Sequence, residues 1–123
     1  MRNTASPTAT LDAELNELVL GGRALEAFDR YYAEQVVMQE NSKAPVRGKA
    51  ANRAREVAFF DSVETWHDAK LLSSAVEGDR SCSEWLLDVS FEGGQRARLE
   101  QVAVRQWRDG LVVSERFYYD TGM

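Results

Sequence analysis

The chain changes from a helical to a β pattern at Thr65, and this change constrains the fold more than any other feature of the sequence. Beyond this residue, β-rich stretches alternate with short separators that contain glycine or aspartate. The separators Gly93-Gly94 and Asp109-Gly110 have the composition of tight β-hairpin turns. The pattern therefore predicts successive antiparallel strands, at residues 66–77, 82–92, 95–108 and 111–119.

Two short helices are predicted before the sheet, over residues 11–20 and 23–33. In the first, apolar residues recur from Leu11 at i, i+4, i+7 and i+8, which is the spacing of an amphipathic helix. Thr10 is the predicted N-cap of this helix, because a threonine hydroxyl can accept a hydrogen bond from a free N–H of the first turn. Two glycines separate the helices and predict an αα-hairpin.

A strand is predicted at residues 36–39, a loop at 41–48 and a third helix at 49–63. The third helix has two unlike faces, and amphipathicity alone leaves either of them free to face the core. One face carries small residues, among them Ala54 and Ala58. The opposite face is polar at first and aromatic later, with Asn52, Arg55, Glu56, Phe59 and Phe60. Three helices and a meander of strands predict an α+β domain with a curved sheet.

The composition is that of a soluble protein. The 123 residues suffice for one domain, expected at residues 11–123 after a disordered tail at residues 1–10. A net charge of −5 disfavours nucleic acid and anionic membranes as partners, and a single cysteine, Cys82, fits a reducing compartment. The first ten residues have no apolar h-region, and no stretch approaches the roughly 20 apolar residues of a membrane span. We therefore expect a cytoplasmic protein.

The order of the elements, together with four short motifs, resembles the nuclear-transport-factor-2-like superfamily, and within it the SnoaL-like branch. The resemblance covers nearly the whole foldable chain. Its motifs are residues 31–37 (Tyr-Tyr-Ala-Glu-Gln-Val-Val), 48–51 (Gly-Lys-Ala-Ala), 107–112 (Trp-Arg-Asp-Gly-Leu-Val) and 115–120 (Glu-Arg-Phe-Tyr-Tyr-Asp). It implies a cone-shaped fold in which three helices pack on a curved, mostly antiparallel sheet around a pocket. It also implies a small-molecule ligand with polar groups, no cofactor, and a homodimer formed through the outer face of the sheet.

Glu40 aligns with the general base of the ketosteroid isomerases, which belong to the same superfamily. A carboxylate at the end of a strand beside an apolar pocket can have a raised pKa and carry a proton. The other isomerase groups are not matched, since the first predicted helix has no tyrosine and Ala103 stands where the resemblance implies a protonated aspartate. The Trp-Asp pair of the polyketide cyclases is also missing near Phe117. The alternative for Glu40 is a solvated or structural acid.

The same resemblance implies that the polar and aromatic face of the third helix points into the cone. Buried polar groups there would bond to each other, to water or to a polar ligand. The sequence leaves open which residues of the strand at 99–104 face the pocket, because Glu100 and Gln101 point to opposite sides and one bulge would exchange them. The predicted ligand-binding residues are Tyr32, Met38, Asn41, Asn52, Arg55, Glu56, Phe59, Trp85 and Tyr118.

The sequence leaves two functions open. The first is an isomerase, cyclase or dehydratase-type enzyme that uses Glu40 as general acid and base. The second is a non-catalytic homodimeric module that binds a ligand or a partner with the same fold. No metal site is expected, because one histidine, His67, and one cysteine cannot form a site of the usual ligand types. The two residues are interpreted as structural.

Overall fold

The computed structural model describes residues 7–120, which form three helices and six strands. The helices are α1 (Pro7–Leu20), α2 (Ala24–Tyr31) and α3 (Lys49–Ser62). The strands are β1 (Tyr32–Glu40), β2 (Val46–Arg47), β3 (Val63–Glu77), β4 (Arg80–Phe91), β5 (Arg96–Arg108) and β6 (Leu111–Tyr119). Within the described part of the chain, no helix combines the length and apolar character of a membrane span.

The six strands form one open sheet in the order β2-β1-β6-β5-β4-β3. Neighbours pair in antiparallel fashion except β1 and β6, which are parallel. The β5–β6 hairpin turns at Asp109 and Gly110, whose φ values are 53° and 81°, as expected for a tight turn with positive φ at both central residues. Register shifts recur along the β3–β4 pair, and bulges of this kind bend a sheet. The predicted curved α+β architecture is confirmed.

The core lies where α1 and α2 pack against β1, β5 and β6. Leu15, Val36 and Trp107 are each at most 2% exposed, and Phe28 stacks on Tyr32 with ring centroids 4.6 Å apart. The cluster closes one end of the curved sheet. Burial of large aromatic and aliphatic side chains is the main favourable contribution to folding at this end.

The first helix begins earlier than the sequence predicts. It starts at Pro7, so Thr10 lies inside the helix and its prediction as N-cap is wrong. Thr8 is 8% exposed, and residues 7–10 of the predicted tail are therefore helical. Proline is well tolerated in the first turn, where its missing N–H would have no partner. Residues 1–6 and 121–123 lie outside the described residues.

The first strand is also longer than predicted, because it begins at Tyr32 rather than at Val36. Tyr32 pairs with Val112 of β6, so strand pairing overrides the weak β propensity of the Ala-Glu-Gln segment that follows. The predicted loop at 41–48 contains the short strand β2, which pairs with Val37 and Met38. The strand β3 begins directly at the end of α3.

The polar face of α3 points inward, and its alanine face points to solvent. Ala54 and Ala58 are exposed, whereas Asn52 is completely buried. The Asn52 amide donates to the carbonyl oxygens of Val46 at 3.0 Å and Gly48 at 2.8 Å. These bonds fix the rotation of the helix from its first turn, because a buried amide without partners would be costly.

Candidate functional site

The concave face of the sheet and the three helices enclose a cavity of about 830 Å³. Most of its wall is apolar and aromatic, and a few charged side chains converge on it. A cavity of this kind is the usual form of a small-molecule site. The aromatic lining includes Tyr32, Phe59, Phe60, Trp66, Trp85, Phe91 and Tyr119.

Glu40 lies at the end of β1 and joins two neighbours in a polar group that we call the Glu40 cluster, consisting of Glu40, Arg55 and Tyr119. The carboxylate accepts hydrogen bonds from the Arg55 guanidinium, with which it forms an ion pair, and from the Tyr119 hydroxyl at 2.5 Å. A second nitrogen of Arg55 donates to the side-chain oxygen of Asn52 at 3.3 Å. Burial, together with the Glu40 carboxylate, raises the pKa of Tyr119 to about 12. The phenol therefore stays protonated and acts as a donor at neutral pH.

A second polar group lies at the closed end of the cavity, and we call it the Arg105 network: Arg105, Glu115, Tyr32, Asp12 and Asn16. Arg105 donates to Glu115 at 2.8 Å, to Asp12 at 2.9 Å and to Asn16 at 2.8 Å. The Tyr32 hydroxyl donates to the other oxygen of Glu115. All five side chains are buried. Burial alone would lower the pKa of Arg105, but the carboxylates around it raise it above the ordinary value, so the guanidinium stays charged.

Glu56 projects from α3 into the same cavity, between the two polar groups. Burial raises the pKa of Glu56 to about 7, and repulsion from Glu115 and Glu40 adds to this effect, while Arg55 opposes it. Among residues 7–120, no side chain donates a hydrogen bond to its carboxyl group. Glu56 is therefore a partly buried acid that changes protonation near neutral pH.

Seven of the ten predicted site residues line the cavity. They are Tyr32, Met38, Glu40, Arg55, Glu56, Phe59 and Trp85. This placement supports the predicted orientation of α3, while the binding and catalytic roles stay predictions. The remaining three, Asn41, Asn52 and Tyr118, do not line the cavity.

Each of these three residues has a structural reason for its position. The Asn52 amide group donates its hydrogen bonds to backbone carbonyl oxygens at the start of α3. Asn41, at φ 50°, accepts a hydrogen bond from the backbone N–H of Tyr119 at 3.0 Å. Tyr118 is 43% exposed and lies under the guanidinium of Arg116, 4.7 Å from the ring centroid. Since neighbouring residues of a strand point to opposite faces, Tyr119 takes the cavity position.

The register of β5 answers the question that the sequence leaves open. Leu99, Gln101 and Arg105 line the cavity, and Glu100 is exposed on the outer face. Gln101 pairs with Tyr119 across β5 and β6. The inward face of β5 therefore carries the odd-numbered residues.

Sequence reasoning missed the Arg105 network altogether. A hairpin turn at Asp109-Gly110 brings Arg105 near the acidic residue of β6, and this opposite-charge pair was a usable signal. The structure pairs Arg105 directly with Glu115 because the register shifts after Gln106. No local pattern indicates that Asp12 of α1 joins the same group, since 93 positions separate it from Arg105.

The two residues interpreted as structural lie away from the charged groups of the cavity. His67 is exposed and shares a hydrogen bond of 2.7 Å with Ser90. Cys82 is a free, exposed cysteine at an outward position of β4. In the part of the chain that the structure describes, no three histidine, cysteine, aspartate or glutamate side chains are grouped so that they could hold a metal ion.

The fold and the cavity define the class: a cone-shaped α+β protein with a nuclear-transport-factor-2-like fold. The sequence matches the model of the SnoaL-like domain family over residues 7–119. The chain therefore belongs to the SnoaL-like family, and the resemblance inferred from its motifs is confirmed. A comparison with curated protein sequences found no significant match.

Several solved structures share the fold. A protein of Mesorhizobium loti described as a candidate SnoaL-like polyketide cyclase is 24% identical, with a TM-score of 0.82 over 90% of this chain and 97% of that one. A second candidate SnoaL-like polyketide cyclase, from Jannaschia sp. CCS1, is 17% identical, with a TM-score of 0.81 over 97% and 92%. An LEH-like epoxide hydrolase of M. tuberculosis is 17% identical, with a TM-score of 0.71 over 93% and 82%. Likeness at these identities shows the fold alone.

Proposed function

We propose that this protein is a cofactor-independent enzyme that moves a proton on a small carbonyl compound, with Glu40 as general acid and base. The observation that carries the proposal is the Glu40 cluster, where a carboxylate, a guanidinium and a protonated phenol converge on one wall of an apolar cavity. Isomerases, cyclases and lyases of the carbonyl type require these groups, namely a proton acceptor and donors for a developing oxyanion.

The proposed chemistry begins with a substrate whose carbonyl oxygen approaches Arg55 and Tyr119. Glu40 takes a proton from the carbon next to the carbonyl group. The electron pair of that C–H bond forms a C=C bond, and the π pair of the C=O bond moves to the carbonyl oxygen to form an enolate. Arg55 stabilises the negative oxygen with N–H groups that its ion pair does not use. In a substrate with a second C=C bond beside the deprotonated carbon, Glu40 returns the proton to the far carbon of that bond and the double bond shifts into conjugation, which completes an isomerisation.

The rest of the cavity supports this role by its polarity. In the Arg105 network, the guanidinium and the carboxylates bond to one another at the closed end, so they do not compete for the substrate. The aromatic walls exclude water, which strengthens charge interactions at the reacting atoms. Arg55 and Glu40 are 39% and 33% exposed at their side chains, so a ligand that enters the cavity can reach them.

The experiment that tests the proposal is deuterium exchange at the carbon next to the carbonyl group of small ketones, followed by proton NMR in heavy water. Native protein is expected to accelerate exchange of at least one ketone of a panel that includes acetophenone and cyclohexanone. Glu40→Gln should slow exchange by roughly 100-fold or more, since general bases contribute about that much. Glu100→Gln, on the outer face, is the matched control. Exchange at the native rate in Glu40→Gln would remove Glu40 from the mechanism.

A non-catalytic ligand-binding module is the second candidate, and one observation favours it. Both oxygens of the Glu40 carboxylate already accept hydrogen bonds, one from Arg55 and the other from Tyr119, so protein donors occupy the groups that would take the proton. In this case ketones would bind and compete with one another, while no member of the panel would exchange faster than in buffer.

We also propose that the protein forms a homodimer through the outer face of the sheet. Tyr118 is 43% exposed there, and Val102 occupies an outward position between β4 and β6. Exposed apolar groups on one face are typical of a protein interface. Light scattering after size-exclusion chromatography should give twice the chain mass, and Val102→Glu should give a monomer; a monomeric native protein would contradict the proposal.

A further inference from the structure

Glu56 is the one charged cavity group of α3 that the proposed reaction does not use. Arg23, whose side chain is 59% exposed, also lines the cavity and pairs with Glu26. The other two guanidiniums are both occupied, because Arg55 pairs with Glu40 and Arg105 bonds to Glu115 and Asp12. With Glu56, the cavity and the Arg105 network therefore hold five carboxyl groups against three guanidiniums. When Glu56 ionises, the cavity has an excess of negative charge that no cation among the described residues balances.

The surroundings of Glu56 are aromatic. Phe59 and Phe60 follow it by three and four positions on α3, so their side chains lie on the same face of the helix one turn further on. Trp66 completes a group of three rings that we call the aromatic cluster: Phe59, Phe60 and Trp66. Its ring centroids are 5.4 Å apart for Phe59–Phe60, 6.4 Å for Phe59–Trp66 and 5.9 Å for Phe60–Trp66. All three residues line the cavity.

A carboxylate beside several aromatic rings has the chemistry that recognises an ammonium group. The negative faces of the rings attract a cation within about 6 Å of their centroids, and alkylated ammonium ions are the best suited because they shed water easily. An anionic ligand would meet Glu56 and would find all three guanidiniums already paired. The arrangement thus selects for positive charge.

We propose that the ligand of this cavity carries a protonated or quaternary amine that lies between the Glu56 carboxylate and the aromatic cluster. The inference rests on the proposed function, because it names the substrate class of the same cavity: a small carbonyl compound with an amine substituent. The amine is held at α3, and the carbonyl group lies at the Glu40 cluster on the neighbouring wall.

The charges that face Glu56 give the interaction a pH dependence. Arg55 lies on the same helix, Glu40 and Tyr32 face Glu56 from β1, Arg105 from β5 and Glu115 from β6. Bound positive charge favours the ionised form of Glu56, so the affinity for a cation should rise as pH increases through about 7. A neutral ligand that accepts a hydrogen bond from the protonated carboxyl would show the opposite trend.

The test compares two probes of similar shape that do not titrate themselves, benzyltrimethylammonium and N,N-dimethylbenzamide. Binding is measured by calorimetry, at about one to two units below and above the pKa of about 7 of Glu56. Native protein should bind the cation about tenfold more tightly than the amide at the higher pH, and this preference should shrink at the lower pH. Glu56→Gln should abolish the pH dependence and most of the preference, leaving the contribution of the rings, and the control Glu100→Gln should retain both.

A second variant separates loss of recognition from loss of folding. Trp66 is 44% exposed, so Trp66→Leu should fold, and it should weaken binding of the cation severalfold more than binding of the amide. The inference is overturned if the amide binds as tightly as the cation, or if Glu56→Gln leaves binding of the cation unchanged. If the amide alone binds and ketone exchange still depends on Glu40, the proposed function stands without the amine. If neither probe binds and no ketone exchanges, both proposals fail.

Discussion

The Glu40 cluster and the Arg105 network contain the same kinds of group, yet their exposure differs by an order of magnitude. The side chains of Arg55 and Glu40 are 39% and 33% exposed, whereas those of Arg105 and Glu115 are 3% and 2% exposed. A buried pair must be fully satisfied by protein partners, because each missing partner leaves a charge without solvation. A half-exposed pair can exchange a partner for a ligand at little cost. We infer that the network maintains the fold and the cluster serves the ligand.

The largest difference is expected from removal of the two arginines. Arg105→Met leaves Glu115 and Asp12 buried without their counter-ion, so it should lower the free energy of unfolding by about 3–5 kcal/mol. Arg55→Met removes a solvent-screened pair and should cost less than about 1 kcal/mol. Urea denaturation of both variants measures the two losses of stability. Equal losses would contradict the different roles of the Arg105 network and the Glu40 cluster.

Substitution of Glu56 should give the next largest change in the free energy of unfolding, and the size of this change depends on pH. The folded state keeps the Glu56 proton up to about pH 7, whereas an unfolded glutamate releases it near 4.5. The contribution of Glu56 to the free energy of unfolding therefore decreases as pH rises between these values. Glu56→Gln should be more stable than native protein by about 1–3 kcal/mol above pH 7, with a flatter profile. Parallel profiles for the two proteins would contradict the raised pKa.

Each polar group contains one tyrosine, and removing the two hydroxyl groups compares the groups again. Tyr32→Phe removes a buried donor to Glu115 and should lower the free energy of unfolding by about 1–2 kcal/mol. Tyr119→Phe removes a half-exposed donor to Glu40, so it should change stability less and ligand affinity more. Thermal melts and ketone titrations of both variants provide the measurements. A larger loss of stability in Tyr119→Phe would mean that the Glu40 cluster, and not the Arg105 network, maintains the fold.

The smallest effect is expected at Tyr118, on the opposite face of the same strand. Tyr118→Ala removes the ring beneath Arg116 on the outer face and should leave the affinity for cavity probes unchanged, while the stability of the single chain falls by less than about 1 kcal/mol. Its neighbour Tyr119 is the matched comparison. Weaker probe binding in Tyr118→Ala would mean that the strand faces are exchanged in solution.

Much of the fold follows from local sequence rules. The turn at Asp109-Gly110 indicates a hairpin because both positions must adopt positive φ, which aspartate and glycine tolerate. The extended start of β1 at Tyr32 could not be predicted, since its pairing with Val112 joins residues 80 positions apart and overrides local propensity.

The candidate site, like the fold, could be predicted only in part from the sequence. The inward orientation of the polar face of α3 followed from the family resemblance, because amphipathicity alone leaves either face free to meet the core. The choice of Tyr119 over Tyr118 depends on register shifts in β6 that no periodicity reveals. The Arg105 network joins α1 to two distant strands, so only the folded chain brings Asp12 to Arg105. Local patterns identify elements, and long-range contacts decide the chemistry of the interior.

The most direct test of a ligand site at the Glu40 cluster uses the methyl group of Met38, which lines the cavity and is 1% exposed. Carbon-13 labelling of methionine methyl groups allows its NMR signal to be followed during titration with acetophenone. We expect a saturable shift of this signal, weakened severalfold by Glu40→Gln and left unchanged by Glu100→Gln. A signal that does not move, or one that moves equally in Glu40→Gln, would contradict a ligand site at the Glu40 cluster.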